Sequence, residues 1–151
     1  MYFLPGVLIL LSSLLPVSNA QDSCYGNKSI TGYCTPMTYT DTTDNFKTPP
    51  TTADCQQTCA SVNNDAGDWL VDFSKDADGT HHNIVGANCG FSLSRGANTP
   101  QNARFSMANQ DILDLYDESL NRFGGNHGGA ISAEGTMECG GFQVNWYIKN
   151  P

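Results

Sequence analysis

The clearest pattern in the chain lies near its C-terminus, where Ile131, Ala133, Gly135, Met137 and Cys139 alternate with Ser132, Glu134, Thr136 and Glu138. Period two predicts a strand. After Gly140-Gly141 the parity switches: Phe142, Val144, Trp146 and Ile148 become the apolar set, while Gln143, Asn145 and Lys149 are polar. A two-residue Gly-Gly turn accounts for the switch. It predicts a hairpin with Cys139 opposite Phe142, Met137 opposite Val144, Gly135 opposite Trp146 and Ala133 opposite Ile148 on the core side. The small Gly135 leaves room for the indole. On the other side Glu138 meets Gln143, Thr136 meets Asn145 and Glu134 meets Tyr147, a face left for water or a partner.

Helical periodicity appears twice. TPPTTADCQQTCASVNN predicts a helix capped by Thr51 or Thr52, with Asp54 in the first turn, where negative charge suits the helix dipole. Cys55, Cys59 and Val62 share one of its faces. A second helix is predicted from Asn109 as cap through QDILDLYDESLNRF to a Gly124-Gly125 stop. Its apolar stripe is Ile112, Leu113, Tyr116, Leu120 and Phe123, and Asp114, Asp117 and Glu118 face outward. Between the helices, WLVDF reads as a strand with Trp69, Val71 and Phe73 on one side, and SKDADGTHHN as a polar turn. A single strand is predicted through Val85, Ala87, Cys89, Phe91 and Leu93, and a short one in RFSMA with Phe105 and Met107 inward. Residues 21–50 are rich in Thr, Asp and Pro; Tyr33, Met37 and Tyr39 alternate around Pro36, which permits only an edge strand.

This order predicts an α+β fold over residues 51–151. Its form is an antiparallel β-sheet with two α-helices packed on one face, ferredoxin-like or split βαβ, and stapled by disulfides.

Residues 3–16 are almost wholly apolar and Ser18-Asn19-Ala20 follows, so residues 1–20 read as a secretory signal peptide cut after Ala20. The apolar run is short for a membrane anchor and no second long one follows, so no membrane partner is expected. All six cysteines (Cys24, Cys34, Cys55, Cys59, Cys89 and Cys139) lie beyond the cut. An even number in an oxidising compartment predicts three disulfides, each worth on the order of 2–4 kcal/mol. Inward-pointing Cys89 and Cys139 are the expected partners of Cys55 and Cys59 on the first helix, leaving Cys24 with Cys34 as a local closure, one of fifteen connectivities. Zinc would need a second close cysteine pair or finger-spaced histidines. Seven basic against fifteen acidic residues give a net charge of −8, which repels phosphate backbones and argues against a nucleic-acid partner. Asn27-Lys28-Ser29 is an N-glycosylation sequon.

Catalytic signals are sparse. SKDADG places Asp76, Asp78 and Gly79 as in a calcium loop, but Ser74 and Val85 occupy positions that need acids, so it reads as a turn. His81-His82 reads as a solvated pair. His127 with Glu134 could support ribonuclease-type acid–base chemistry, with Arg95 or Arg104 recruited, yet the neighbouring-strand spacing of Glu, Arg and His is absent. No motif for a cofactor is present. The outward residues Glu134, Thr136, Asn145 and Tyr147 form the candidate binding surface. Tyr25, Tyr33 and Tyr39 add aromatic surface of a kind that also suits glycans.

Taken together, the leader, the ADC helix start, NCGFSLS, NQDILDLYDESLNRFGG and AEGTMECGGFQVNWYI resemble small cysteine-rich secreted effectors of filamentous fungi. The chain is similar to the extracellular-protein and necrosis-inducing group and to secreted-in-xylem or avirulence-type proteins with a killer-toxin-like fold. The resemblance spans roughly residues 53–149, and Cys55, Cys59, Cys89 and Cys139 match its helix and strand thiols. It implies a non-catalytic extracellular protein, in the host apoplast or delivered into host cells, that promotes colonisation or is recognised by plant immunity. The implied partner is a host or fungal protein, in some relatives a second effector. A secreted glycan-binding module is the alternative expectation, and a ribonuclease-like enzyme the third.

Overall fold

A computed structural model describes residues 22–65 and 67–151; the expected signal peptide lies outside the described residues. Eight strands are found: β1 (Cys34–Pro36), β2 (Thr40–Asp41), β3 (Trp69–Asp72), β4 (His82–Val85), β5 (Gly90–Arg95), β6 (Arg104–Met107), β7 (Ala133–Cys139) and β8 (Phe142–Lys149). The helices are α1 (Thr52–Asn63) and α2 (Asn109–Phe123). A six-stranded antiparallel sheet runs in the order β1-β7-β8-β5-β4, with β2 also paired to β7, and β3 and β6 form a separate pair.

The expected α+β class with antiparallel pairing, two helices and disulfides is what the chain adopts. The single sheet is corrected to two. A split βαβ plan returns the chain to the same sheet after each helix, whereas here α1 leads from β2 of the large sheet to β3 of the small one, and α2 leads back from β6 to β7. Phe73 explains the division: it is buried at the end of β3, edge-on to Phe105 of β6 at 5.9 Å and to His82 of β4 at 6.0 Å. The small sheet is thus held to the large one by aromatic packing instead of backbone hydrogen bonds.

The terminal hairpin has the register that parity predicted, from Ala133↔Ile148 to Cys139↔Phe142. Gly140 and Gly141 both take positive φ, 57° and 82°, as a two-residue turn of this hand requires. A Cβ on Gly135 would collide with the Thr38 carbonyl oxygen and the Trp146 ring. Trp146 is fully buried. Its Nε1 donates to the Thr136 carbonyl at 3.3 Å, and Tyr39 packs edge-on at 5.1 Å.

Alternation misled at one place. The strand expected through Val85 to Leu93 is two antiparallel strands, β4 and β5, with Val85 opposite Phe91. A tight reversal between them preserves parity, so period two cannot distinguish it from a continuous strand. Gly90 sits in the reversal, where an added Cβ would press on the carbonyls of Val85, Lys149 and Ala87 at 3.1–3.4 Å.

Thr51 caps α1 in a reciprocal pair, its hydroxyl accepting from Asp54 N at 3.1 Å while Asp54 Oδ2 accepts from Thr51 N at 2.9 Å. At α2 the cap is Ala108, not Asn109. The Asn109 amide is engaged elsewhere, accepting from Trp69 Nε1 at 2.6 Å and donating to the Asp65 carbonyl at 2.8 Å. Capping falls to Asp111, whose buried carboxylate accepts from Ala108 N at 2.7 Å, Cys34 N at 3.0 Å and Tyr33 N at 3.0 Å. One carboxylate therefore ends a helix and anchors the N-terminal arm. Gly32 is required beside it, since a Cβ there would collide with Oδ1.

Three disulfides form: Cys24–Cys59, Cys34–Cys139 and Cys55–Cys89. Cys55 is joined to Cys89, one of the two partners expected for it, although Cys89 lies just before β5; the expected Cys24–Cys34 closure and the pairing of Cys59 with Cys89 or Cys139 are corrected. Cys34 lies directly opposite Cys139 in the β1–β7 pairing, so strand register brings those thiols together. Cys24 lies against α1, where Ser23 N donates to Gln56 Oε1 at 2.8 Å and Gln56 Nε2 donates to Asp22 Oδ1 at 2.9 Å.

Asp111→Ala leaves three backbone N–H groups without their acceptor. It is expected to destabilise the oxidised protein by roughly 2–4 kcal/mol, read from urea unfolding. Gly135→Val is expected to cost about 1–3 kcal/mol or more by overpacking; an unchanged midpoint in either variant would contradict this packing.

Candidate functional site

The two faces of the hairpin differ sharply. Ala133, Met137, Val144, Trp146 and Ile148 are buried. On their side Phe91 meets Tyr116 of α2 at 6.2 Å between ring centroids, and the Tyr116 hydroxyl donates to the Cys89 carbonyl at 2.7 Å. Complete burial raises the Tyr116 pKa, so this phenol stays a neutral donor. The opposite face carries Glu134, Thr136, Asn145 and Tyr147, all half-buried. The residues singled out from parity are thus neighbours in space.

Three of them are held by hydrogen bonds to neighbouring strands and the N-terminal arm. Tyr147 Oη and Ser94 Oγ are 3.0 Å apart, and Asn145 Nδ2 donates to Ser94 Oγ at 3.2 Å and to the Arg95 carbonyl at 3.3 Å. Thr136 N donates to Thr38 Oγ1 at 2.9 Å. Thr38 and Thr40, from the N-terminal arm, complete a shallow depression of about 190 Å³ with Glu134, Gly135, Thr136, Asn145 and Tyr147. His81 lies over the Tyr147 ring, with centroids 4.1 Å apart at 34°. Its Nδ1 is 3.2 Å from Lys149 Nζ, which itself stands 5.1 Å from the Tyr147 ring centroid. Burial, then the Lys149 charge, holds the His81 pKa below its ordinary value, against the opposing pull of Glu134.

His81, Ser94, Thr38, Thr40 and Lys149 were not among the candidates. Lys149 shares the outward parity of Tyr147 and Asn145, a signal that would have found it. Nothing local to His81 reports its position, because a loop delivers it to β8.

The histidine pair expected to be solvated is partnered: besides the His81 contacts, His82 Nδ1 is 2.8 Å from Asp76 Oδ2. Asp78 pairs with Arg95. Among the described residues no group of three or more His, Cys, Asp or Glu side chains is arranged to hold a metal ion. His127 does not join Glu134. Its Nε2 is 2.9 Å from Asp41 Oδ2 and its Nδ1 is 3.2 Å from Asp44 Oδ1. Asp41 is paired with buried Ala133, one residue out of phase with Glu134, so the acid–base pair of the ribonuclease reading is not assembled. Burial tends to raise the Asp41 pKa, but hydrogen bonds from the Thr43 hydroxyl and amide, His127 and Asn126 outweigh it and hold the carboxyl below its usual range.

Tyr25 and Tyr33 are exposed, whereas Tyr39 is enclosed by Trp146 and by the Arg122 guanidinium 4.5 Å from its ring. Its pKa is pushed up to about 12, first by burial and then by Glu118, against Arg122. The outward acids of α2 are largely neutralised. Lys28 Nζ lies 2.7 Å from both Asp114 and Asp117, and Glu118 pairs with Arg122 at 2.6 Å. Asn27 is exposed in the adjoining turn, and its Oδ1 accepts from Ser29 Oγ at 2.7 Å and Ser29 N at 3.1 Å.

The model of the Hce2 family, pathogen effectors proposed as necrosis-inducing factors, matches residues 33–139, more than half of the 151-residue chain. No curated protein matches the chain.

A depressed Asp41 pKa contributes stability that is complete above the unfolded value of about 3.9 and is lost as pH falls through the lower folded value. Asp41→Asn is expected to flatten the loss of stability below about pH 4. Urea midpoints of both proteins across that range check it.

Proposed function

The chain belongs to the Hce2 family of pathogen effectors, and on that premise we propose that it is a secreted, non-catalytic recognition module. Its outer sheet face binds a host protein during colonisation, and that contact is what plant immunity registers as cell death. The observation that carries this reading is the asymmetry of the hairpin. One face is sealed into the core, while the other holds Thr136, Asn145 and Tyr147 by hydrogen bonds to Thr38 and Ser94, with Glu134 beside them, free of core packing. Side chains already ordered lose little entropy on binding.

The acidic face of α2 is the weaker candidate. Lys28 and Arg122 cover its carboxylates, and Asn27 stands next to Lys28. A glycan on Asn27 would screen that face and leave the sheet face open. Secretion suits three disulfides, which persist in oxidising compartments.

Purified oxidised protein infiltrated into host leaves is expected to cause necrosis. Thr136→Arg, which places a long cation in the centre of the face, is expected to abolish necrosis while leaving the melting temperature within a few degrees. Asp114→Asn is expected to retain the response. Equal necrosis from the Thr136→Arg protein would overturn the assignment of this face, and a glycan-array signal lost in the same variant would favour the lectin-like alternative. Protein secreted from a eukaryotic host is expected to begin at Gln21 and to lose one N-glycan mass on Asn27→Gln, read by intact-mass spectrometry.

A further inference from the structure

We propose that His81, Lys149 and Tyr147 form a carboxylate-docking site on the outer sheet face, the anchor for an acidic side chain of the protein partner. This deepens the reading of that face as the recognition surface and rests on it.

Charge pairing across the molecule points to this place. Of seven lysines and arginines, Lys28, Arg95, Arg104 and Arg122 are each paired with a carboxylate, Lys47, Lys75 and Lys149 stand in none of the ion pairs of the described residues, and of these three Lys149 is the one fixed by a side-chain hydrogen bond and a ring. Lys149 is held differently. Its ammonium faces His81 Nδ1 at 3.2 Å and the Tyr147 ring at 5.1 Å, and no carboxylate of the described residues lies within 4 Å of it. The cation is positioned without being neutralised. Because Nδ1 accepts from the ammonium, the ring proton of neutral His81 sits on Nε2, a separate donor on the opposite edge of the ring. A depression of about 190 Å³ that both His81 and Lys149 line also takes in Asn83, Ser92 and Asn150, together with apolar Val85, Phe91 and Pro151. The ammonium, held by His81 and the Tyr147 ring, supplies the charge-assisted contact for a carboxylate.

The occupant is an isolated carboxylate on a polypeptide. A uniformly anionic polymer, such as a polyuronate, meets the field of a chain carrying a net charge of −8 and is repelled. A single acid among neutral hydroxyl and amide groups is not, and Thr38, Thr136 and Asn145 offer such groups their complements nearby.

Proton linkage supplies a distinctive readout. Lys149 and burial disfavour the imidazolium of His81, and Glu134 favours it. A docked carboxylate adds to the Glu134 side; protonating Nδ1 ends its acceptance from Lys149 and leaves the ammonium to the carboxylate, so docking takes up a proton and tightens as pH falls through the lowered His81 range.

The test is a ¹⁵N-edited NMR titration of the intact oxidised protein with a blocked pentapeptide carrying one central glutamate between serines, and with its glutamine counterpart. The glutamate peptide is expected to shift the amides of His81, Tyr147 and Lys149, several-fold more tightly at pH 5.5 than at pH 7.5. The pH effect is expected to vanish in His81→Asn, and binding in Lys149→Gln. Equal shifts from the glutamine peptide, full binding by Lys149→Gln, or tighter binding of an oligouronate to the same amides would overturn the site. In leaves, necrosis lost in Thr136→Arg but intact in Lys149→Gln would sink this inference alone, whereas necrosis intact in both would sink the recognition face itself.

Discussion

The bridge between Cys34 and Cys139 is the constraint on which the rest of the structure leans. Residues 22–50 contain few apolar side chains and only five strand residues, all of them at an edge. Such a segment does not hold itself against a sheet by burial. The bridge joins it to β7 across 105 residues of chain, a closure worth about 4–5 kcal/mol in the chain-entropy account, and it does so at directly opposed positions of the β1–β7 ladder. Three consequences are local to that anchor. Thr38 reaches Thr136, Tyr39 closes over Trp146, and Asp41 reaches His127. The wall of the outer-face depression is therefore built by the arm, and its position is as secure as the bridge.

Asp111 does the same work without covalency. Its carboxylate is shared between the start of α2 and the amides of Tyr33 and Cys34, so the helix cannot shift without disturbing the arm. Together the bridge and the carboxylate tie three distant stretches of sequence, around residues 33, 111 and 139, into one rigid corner. Rigidity at that corner is what allows polar side chains on the opposite face to be held by one another instead of by solvent.

How much of this was legible follows from the range of the interactions. The hairpin could be read residue by residue, down to Gly135 facing Trp146, because parity, turn length and side-chain size are all local. The helices were legible for the same reason, and so was a threonine cap at Thr51 or Thr52, of which the structure uses Thr51. The Asn109 cap was misread because Trp69, forty residues away, claims its side-chain oxygen. Cysteine pairing failed where it depended on tertiary approach: that Cys34 would lie across from Cys139 follows from a strand pairing of two short segments 105 residues apart, for which no periodic signal exists. The second sheet was hidden because Phe73, Phe105 and His82 define it through packing. Within the site, Glu134, Thr136, Asn145 and Tyr147 were found and His81 was not, since strand phase places the former and a loop delivers the latter.

Net charge and local charge then act at different ranges, and the difference bears on selectivity. At distance the chain presents −8, and within a Debye length of about 8 Å in physiological salt a partner meets individual groups. Most cations on this surface are already matched with acids, so they add little to either range. Lys149 differs because His81 and Tyr147 hold it without cancelling its charge. On the proposed reading, a strongly anionic partner would be turned away before it sensed that lysine, and a nearly neutral one would find a fixed cation with hydroxyls and amides around it. Repulsion at long range and complementarity at short range together narrow the set of acceptable surfaces more than either does alone. A rigid sheet face suits that division of labour, since it keeps the single cation where the surrounding polar groups can define what sits beside it.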